Sequence, residues 1–292
     1  MTLAPFEPGD IFVPDSDMDE EARFPTGMGK VRQYSAEWDL KATHETGQRG
    51  LVSCLSLDPS GRLHILDPQA RWFGSIAADG QPVEAFPELP QRAYGSMIAV
   101  PEGYMLGEQM VGDTPGFSGD GRVYRIDEDG TVRAVWNTET NGGMGGFLGV
   151  THMALSRDGT TLYHLSETGP YIYGHTLAGD RRLGPVYTRA DPPPMLFGLS
   201  MAPDDTLLVA AGNAIRQVVP GEGVVRTYDL PEGRGWAVVT MRPGGKSFWA
   251  LDFFGGQAVS VGFESGEIEL HKQLELTKRL TSIAEIPAGE TK

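Results

Sequence analysis

The sequence predicts an all-β protein, a single six-bladed β-propeller over residues 1–292, and three observations support this prediction. A strand–turn–strand pattern recurs along the chain, a second hairpin follows each copy, and the two chain ends supply complementary parts of one more unit. Glycine and proline are abundant, at 39 and 21 residues, without a collagen-like period. Such a composition is typical of many short strands joined by turns.

The recurring pattern is an apolar alternating strand, a turn rich in Pro, Asp or Gly, and a second strand that ends near an acid or a small polar residue. It occurs at 55–67, 98–108, 153–167, 199–212 and 239–252. The turns, at Pro59, Pro101, Arg157, Pro203 and Pro243, lie 42, 56, 46 and 40 residues apart. This spacing matches the roughly 40–50 residues of a four-stranded propeller blade, so each copy predicts the two inner strands of a blade.

A second hairpin follows every copy and predicts the two outer strands of the same blade. These hairpins lie at 72–86, 122–136, 171–187, 214–230 and 258–274. Alternating strands around a glycine-containing turn are the usual hairpin signal.

The chain ends complete the count of blades. Residues 280–289 form an inner strand and turn that nothing follows, whereas 9–15 and 30–43 form a second strand and an outer hairpin that no inner strand precedes. We therefore expect residues 280–286 to pair with residues 9–14. This pairing would close the ring as a sixth blade and leave no free sheet edge at the seam.

Composition and charge narrow the classes of function. A net charge of −15 disfavours nucleic acid and anionic membranes as partners, and no stretch reaches the ~18 apolar residues of a membrane span. The start "MTLAPFEPGDIF" has neither a basic segment nor a long apolar one, so we expect no signal peptide and a cytoplasmic location. Cys54 is the only cysteine, which excludes an internal disulfide and a cysteine-based zinc cluster.

Two segments resemble a known group of propellers. "MALSRDGTTLYHLSETG" (153–169) is similar to the strand–turn–strand pattern of the six-bladed gluconolactonase, senescence marker protein and NHL-repeat superfamily. "WAVVTMRPGGKSFWALDFFGGQAVSV" (236–261) resembles a blade of an NHL-repeat protein or a streptogramin lyase. The resemblance covers nearly the whole chain and implies the fold more than the activity.

The resemblance also implies a metal site that this sequence alters. The lactonases of the superfamily hold a divalent metal in the central channel with a Glu and two Asn-type ligands near an Asp. Here Thr151 or His152 stands where an amide ligand is expected, and Phe197 stands where the Asp is expected. Because calcium prefers oxygen ligands, we expect no calcium held in the lactonase manner. Zinc, which imidazole suits, or no metal is expected instead.

Propeller geometry predicts where a ligand would bind. The starts of the inner strands and the loops after the second strands converge on one face, around the mouth of the central channel. Candidate side chains from the inner-strand starts are Arg49, Tyr94, His152, Phe197, Trp236 and Arg279, and those from the loops are Glu108, Glu167 and Asp252. This mixture of imidazole, carboxylates, guanidiniums and aromatic rings predicts a small-molecule pocket.

Within this set, His152, Glu167 and Arg49 are the predicted catalytic residues. His152 would act as a base or a metal ligand with a carboxylate such as Glu167 fixing its tautomer, and Arg49 or Arg279 would stabilise an anionic intermediate. The remaining six residues would contact a substrate. The alternative is that His152 is hydrogen-bonded inside the sheet and that many loop carboxylates only cap their loops.

Two classes of function therefore stay open. In the first, the protein is a hydrolase, lyase or isomerase acting at the channel mouth on a small molecule of aromatic or apolar character. In the second, it is a non-catalytic propeller that binds a metabolite or a protein partner on one face. Two long loops, 107–121 and the glycine-rich 137–149, exceed what the repeat needs, and the second could form a lid.

Overall fold

The computed structural model of the protein describes residues 2–18, 25–111, 121–138, 147–177 and 181–288. Most of the two long loops, at 112–120 and 139–146, lies outside these ranges, so the lid remains a prediction. Within the described residues the protein is all β, with six sheets arranged as the blades of one propeller. None of the described segments forms a helix long and apolar enough to cross a membrane.

Each blade has four antiparallel strands, which are named in order from the channel outwards. Blade 1 contains β25 (Ala284–Glu285), β1 (Ile11–Ser16), β2 (Met28–Tyr34) and β3 (Leu40–Arg49). Blade 2 contains β4 (Cys54–Leu57), β5 (Leu63–Asp67), β6 (Trp72–Ile76) and β7 (Pro82–Val83). Blade 3 contains β8 (Tyr94–Val100), β9 (Gly103–Val111), β10 (Val123–Ile126) and β11 (Val132–Trp136), and β12 (Phe147–Gly149) also pairs with β9.

Blades 4, 5 and 6 each contain four strands that follow one another directly in the sequence. Blade 4 contains β13 (His152–Leu155), β14 (Thr161–Leu165), β15 (Tyr171–Thr176) and β16 (Arg181–Thr188). Blade 5 contains β17 (Gly198–Met201), β18 (Leu207–Ala210), β19 (Ile215–Val219) and β20 (Gly223–Tyr228). Blade 6 contains β21 (Trp236–Met241), β22 (Ser247–Asp252), β23 (Gln257–Gly262) and β24 (Ile268–Gln273).

The ring closes as the chain ends predict. In the pairing of β1 with β25, Ile11 lies opposite Glu285 and Phe12 lies opposite Ala284. Glu285 also accepts two hydrogen bonds of 2.8 Å from the Arg242 guanidinium and one of 2.7 Å from Trp249 Nε1. The last strand thus joins blade 1 by its backbone and blade 6 by its carboxylate.

The hydrophobic core lies between the blades because alternating strands bury the faces that meet. Trp249 and Leu251 of blade 6 pack with Ile11 and Val13 of blade 1, and all four are buried. Hydroxyl groups join neighbouring inner strands nearer the axis: Ser282 Oγ accepts the Leu55 N–H at 3.0 Å. Ser200 Oγ accepts the Met241 N–H at 3.0 Å in the same way. These bonds join the inner strands of blades 1 and 2 and those of blades 5 and 6.

Candidate functional site

A cavity of about 390 Å³ lies at the face where the inner strands begin. Its wall is built from residues just before or at the inner strands and from loops that follow the second strands, as propeller geometry predicts. We call it the mouth cavity. A second space of about 430 Å³, the channel cavity, runs along the inner strands. The two cavities share the wall formed by Ser53, Thr151, His152, Val238 and Thr281.

His152 lies where the two cavities meet. It is the first residue of β13, it lies opposite Leu165 in the sheet, and it lines both cavities. Its Nδ1 is 3.2 Å from Thr151 Oγ1. Burial lowers the pKa of the imidazole to about 4, so the ring is neutral near pH 7.

Glu167 lies in the wall of the mouth cavity, two residues beyond the end of β14. Its backbone N–H donates to Thr151 Oγ1 at 2.8 Å, which ties this loop to the start of β13. Burial raises the pKa of its carboxyl group to about 7. Because burial penalises the charged form of each group, His152 and Glu167 both tend towards neutrality.

The rest of the wall is largely apolar. Met195 and Phe197 come from the loop that enters blade 5, and Phe253 and Phe254 come from the loop after β22. Arg234 lies at the exposed rim. This combination of apolar surface and a few polar groups is typical of small-molecule pockets.

A buried arginine holds the loop that carries Met195 and Phe197. Arg189 is 2% exposed, and its guanidinium donates hydrogen bonds of 2.6 Å to the carbonyl oxygens of Met195 and Ala211. Space for the Phe197 ring comes from Gly212, which has a φ of +82° and whose Cβ, if present, would lie 3.0 Å from the ring. A larger residue at 212 would strain the backbone and push the ring.

Three predicted substrate contacts serve instead to hold loops, and none of them lines the mouth cavity. Asp252 is fully buried and accepts backbone N–H bonds from Arg234 at 2.8 Å and Gly255 at 2.9 Å. Glu108 is equally buried and pairs with Arg92 at 3.2 Å. Arg279 pairs with Asp15 at 3.0 Å. Apart from the Gly255 bond, each contact joins a second strand to the segment before an inner strand.

Three other predicted site residues also lie away from the cavity. Tyr94 and Trp236 are 2% and 1% exposed and belong to the cores between blades, and the Trp236 indole donates to the Pro231 carbonyl at 3.3 Å. The repeat predicts Arg49 at the start of an inner strand, but this residue ends the outer strand β3 and is exposed. The inner strand of blade 2 begins only at Cys54. Tyr94 and Trp236 differ from the prediction because their rings point into the cores. Arg49 differs because it lies before the inner strand begins.

Blade 4 lacks the buried acid that blades 1, 2, 3 and 6 carry in or at the end of the second strand. These acids are Asp15, Asp67, Glu108 and Asp252. In blade 4, Ser166 directly follows the second strand and donates to the Gly149 carbonyl. Glu167 comes one residue later. The serine therefore caps the loop, and Glu167 lines the cavity.

Sequence reasoning missed several wall residues. It places Thr151 only as a substitute for a metal ligand, and it selects Asp252 rather than the adjacent Phe253 and Phe254. The signal for the two aromatic rings is present, because they follow a second strand in "LDFFGG" (251–256). In that loop, position relative to the strand is a better guide to the cavity than charge.

The side chains do not fit the metal site that the lactonase resemblance implies. Within the described part of the chain, no three or more His, Cys, Asp or Glu side chains come together in a group that could hold a metal ion. Phe197, for which the resemblance implies an oxygen donor, lines the mouth cavity and supplies none. Zinc binding, like the absence of lactonase-type calcium binding, stays a prediction.

Known structures share the propeller fold with this chain. No family model and no curated protein matches the sequence. A catalytically inactive histidine-to-alanine variant of virginiamycin B lyase from Staphylococcus aureus, with quinupristin, is 15% identical with a TM-score of 0.56, over 96% of this chain and 86% of that one. A streptogramin B lyase is 14% identical with a TM-score of 0.61, over 95% of each chain.

A third structure with the same fold comes from the nidogen/laminin complex. It is 14% identical with a TM-score of 0.65, over 96% of this chain and 99% of that one. At these identities the similarities show the propeller fold alone. Membership of the gluconolactonase group stays a prediction.

Proposed function

We propose that this protein is a lyase that uses acid–base catalysis on an apolar small molecule bound in the mouth cavity. The observation that carries the proposal is the presence of His152 and Glu167 in one largely apolar wall, with burial favouring the neutral form of both. A neutral imidazole can take a proton and a neutral carboxyl group can give one, which are the two transfers that an elimination needs.

The elimination balances with these two groups alone. His152 Nε2 takes a proton from a carbon atom of the substrate, and the electron pair of that C–H bond forms a C=C bond. The neighbouring C–O bond breaks, and the leaving oxygen receives the proton of the Glu167 carboxyl group. The enzyme is left with an imidazolium and a carboxylate, and solvent returns the proton from one to the other before the next turnover.

The wall indicates the kind of substrate. Phe197, Phe253 and Phe254 offer aromatic surface, and Met195 adds a flexible apolar contact. Arg234 at the rim suits an anionic or strongly polar substituent. We therefore expect an aromatic or otherwise apolar compound with an ester or ether oxygen as leaving group.

The two lyases with the same fold support this choice of reaction without establishing it. One of them is catalytically inactive as a histidine-to-alanine variant, which agrees with a reaction that depends on an imidazole. The second candidate, a propeller that binds a partner without catalysis, is supported by the similarity to the nidogen/laminin complex and by Phe254, which is 44% exposed.

The test is incubation of the purified protein with quinupristin and a series of aromatic lactones, followed by mass spectrometry. A cyclic ester opened by elimination keeps its mass, whereas one opened by hydrolysis gains one water. We expect products of unchanged mass that disappear with His152→Ala and persist with His271→Ala, an exposed control in β24. Products heavier by one water would replace the lyase with a hydrolase.

Binding without turnover would favour the second candidate. In that case a probe compound would raise the melting temperature of the wild-type protein and leave His152→Ala equally responsive. Phe197→Ala would reduce the response, because the aromatic wall alone would hold the compound.

A further inference from the structure

We infer that Thr151 is a positioning residue that holds His152 in the tautomer protonated on Nδ1, so that the lone pair of Nε2 faces the cavities. The consequence for catalysis rests on the proposed function, in which His152 is the base. The tautomer itself can be measured without any substrate.

The Thr151 hydroxyl group is buried and already has two hydrogen-bond partners in the backbone. Thr151 is 2% exposed, and its Oγ1 is 2.8 Å from the Glu167 nitrogen and 3.2 Å from the Leu165 oxygen. The Glu167 N–H can only donate and the Leu165 carbonyl can only accept. The hydroxyl therefore uses one lone pair for Glu167 and its single proton for Leu165.

The third neighbour of this hydroxyl is the imidazole, with Nδ1 at 3.2 Å from Oγ1. With the hydroxyl proton directed at Leu165, only a lone pair of Oγ1 remains for the ring. Nδ1 must then carry a hydrogen and donate it. A neutral imidazole has one N–H, so Nε2 is left unprotonated.

The environment of Nε2 agrees with this assignment. Among the described residues, none makes a hydrogen bond to Nε2, and His152 lines both the mouth cavity and the channel cavity. An unprotonated Nε2 can accept a proton from a substrate, whereas the opposite tautomer would present an N–H and could not act as a base. The hydroxyl that orients the imidazole also ties down the Glu167 backbone, so one side chain sets the positions of both proposed groups.

The decisive measurement is nitrogen NMR on full-length protein labelled with ¹⁵N-histidine, at neutral pH and without ligand. The chain has six histidines, and the His152 signals are assigned as those lost in His152→Ala. The comparison uses Thr151→Val, which keeps the shape but removes the hydroxyl, and Thr151→Ser, which keeps the hydroxyl.

We expect the wild-type protein and Thr151→Ser to show His152 protonated on Nδ1. Thr151→Val should shift the population towards the Nε2–H form, which is the favoured tautomer of a free imidazole. With a turned-over probe, Thr151→Val should lower kcat about tenfold or more with little change in KM, and Thr151→Ser should restore most of the rate.

A wild-type spectrum with His152 protonated on Nε2 would overturn the inference, as would a Thr151→Val protein whose tautomer is unchanged. If Thr151→Val fails to fold, the wild-type and Thr151→Ser spectra still decide the question. Because these readouts need no turnover, a protein that turns over no probe refutes the proposed function but leaves the tautomer measurement valid.

Discussion

Two histidines in different blades have closely similar local contacts and opposite surroundings. His64 in β5 lies 2.7 Å by its Nδ1 from Ser75 Oγ, and His152 in β13 lies 3.2 Å by its Nδ1 from Thr151 Oγ1. Burial lowers the pKa of each ring to about 4. The difference lies at Nε2, which in His64 is 3.2 Å from the Asp58 carboxylate and in His152 contacts no described hydrogen-bonding partner.

The surroundings of His64 complete a closed structural network. Although burial acts to raise the pKa of Asp58, hydrogen bonds from Ser60, Arg62 and Tyr104 hold it below its usual range. The aromatic rings of Phe86 and Tyr104 lie 5.3 and 5.5 Å from the His64 ring. Ser75, His64 and Asp58 thus follow one another as in a hydrolase triad, but the serine is 4% exposed and lines neither cavity.

The comparison of the two rings shows that a lowered pKa does not by itself distinguish a catalytic histidine from a structural one. Both rings are neutral because both are buried. What separates them is whether the second nitrogen is satisfied within the protein or faces a space that a ligand can enter.

The largest expected effect is on turnover when the ring of His152 is removed. His152→Ala should lower the rate of the proposed reaction by roughly 10²–10⁴-fold, the usual contribution of an acid–base group. Its melting temperature should stay within a few degrees of the wild type, because the ring borders open space. A variant that keeps its activity and loses stability would make His152 equivalent to His64 and remove the distinction.

The reverse result is expected at His64. His64→Ala should lower the free energy of unfolding by about 3 kcal/mol, because it leaves a cavity among aromatic rings and an unpartnered Ser75 hydroxyl. Urea unfolding measures the free energy of unfolding of His64→Ala and of His271→Ala. The second is an exposed control, and its free energy of unfolding should change by less than ~0.5 kcal/mol. The activity of folded His64→Ala should match the wild type, and a selective loss of activity would point to a role beyond structure.

The pH dependence of kcat/KM tests the proposed roles of His152 and Glu167 in blade 4. The reaction needs neutral His152 and protonated Glu167, so kcat/KM should rise through about pH 4 and fall through about pH 7. Above the upper limit the rate should fall about tenfold per pH unit. Glu167→Gln should be slower, and its rate should no longer fall through about pH 7, since an amide does not titrate. Persistence of that limit would assign it to another group.

The smallest expected effect is on stability as a function of pH. Because the folded pKa of Glu167, about 7, is above the ordinary 4.5, its contribution is fully present below pH 4.5 and is lost as the pH rises through about 7. His152 acts oppositely, since its contribution is present above pH 6.5 and is lost as the pH falls towards 4. Glu167→Gln should therefore gain about 1 kcal/mol relative to the wild type between the acidic and neutral ends of this range.

Unfolding curves at several pH values measure this difference, and Glu269→Gln on the outer strand β24 is a matched control that should follow the wild type. Equal pH dependence of Glu167→Gln and the wild type would mean that the carboxyl group is solvated rather than buried in the wall.

The fold could be predicted from the sequence because its determinants are local and repeated. Alternation of apolar residues, turns at regular spacing and the unpaired strand at each chain end are visible without any contact information, and they predict six blades and the seam between 9–14 and 280–286. The same repeat predicts His152, Glu167 and Phe197 on one face, because position relative to a strand start or end determines the face of the ring, and all three line the mouth cavity.

The sequence repeat does not determine the direction of a side chain or its hydrogen-bond partners. Tyr94 and Trp236 also lie at strand starts, yet their rings point into the cores between blades. Asp252 ends a second strand, yet its carboxylate accepts hydrogen bonds from backbone N–H groups. Whether a polar side chain faces the cavity depends on the twist of its strand, on one-residue offsets such as Ser166 before Glu167, and on donors supplied by distant segments. These are contacts between parts of the chain far apart in sequence, so only the tertiary structure could decide them.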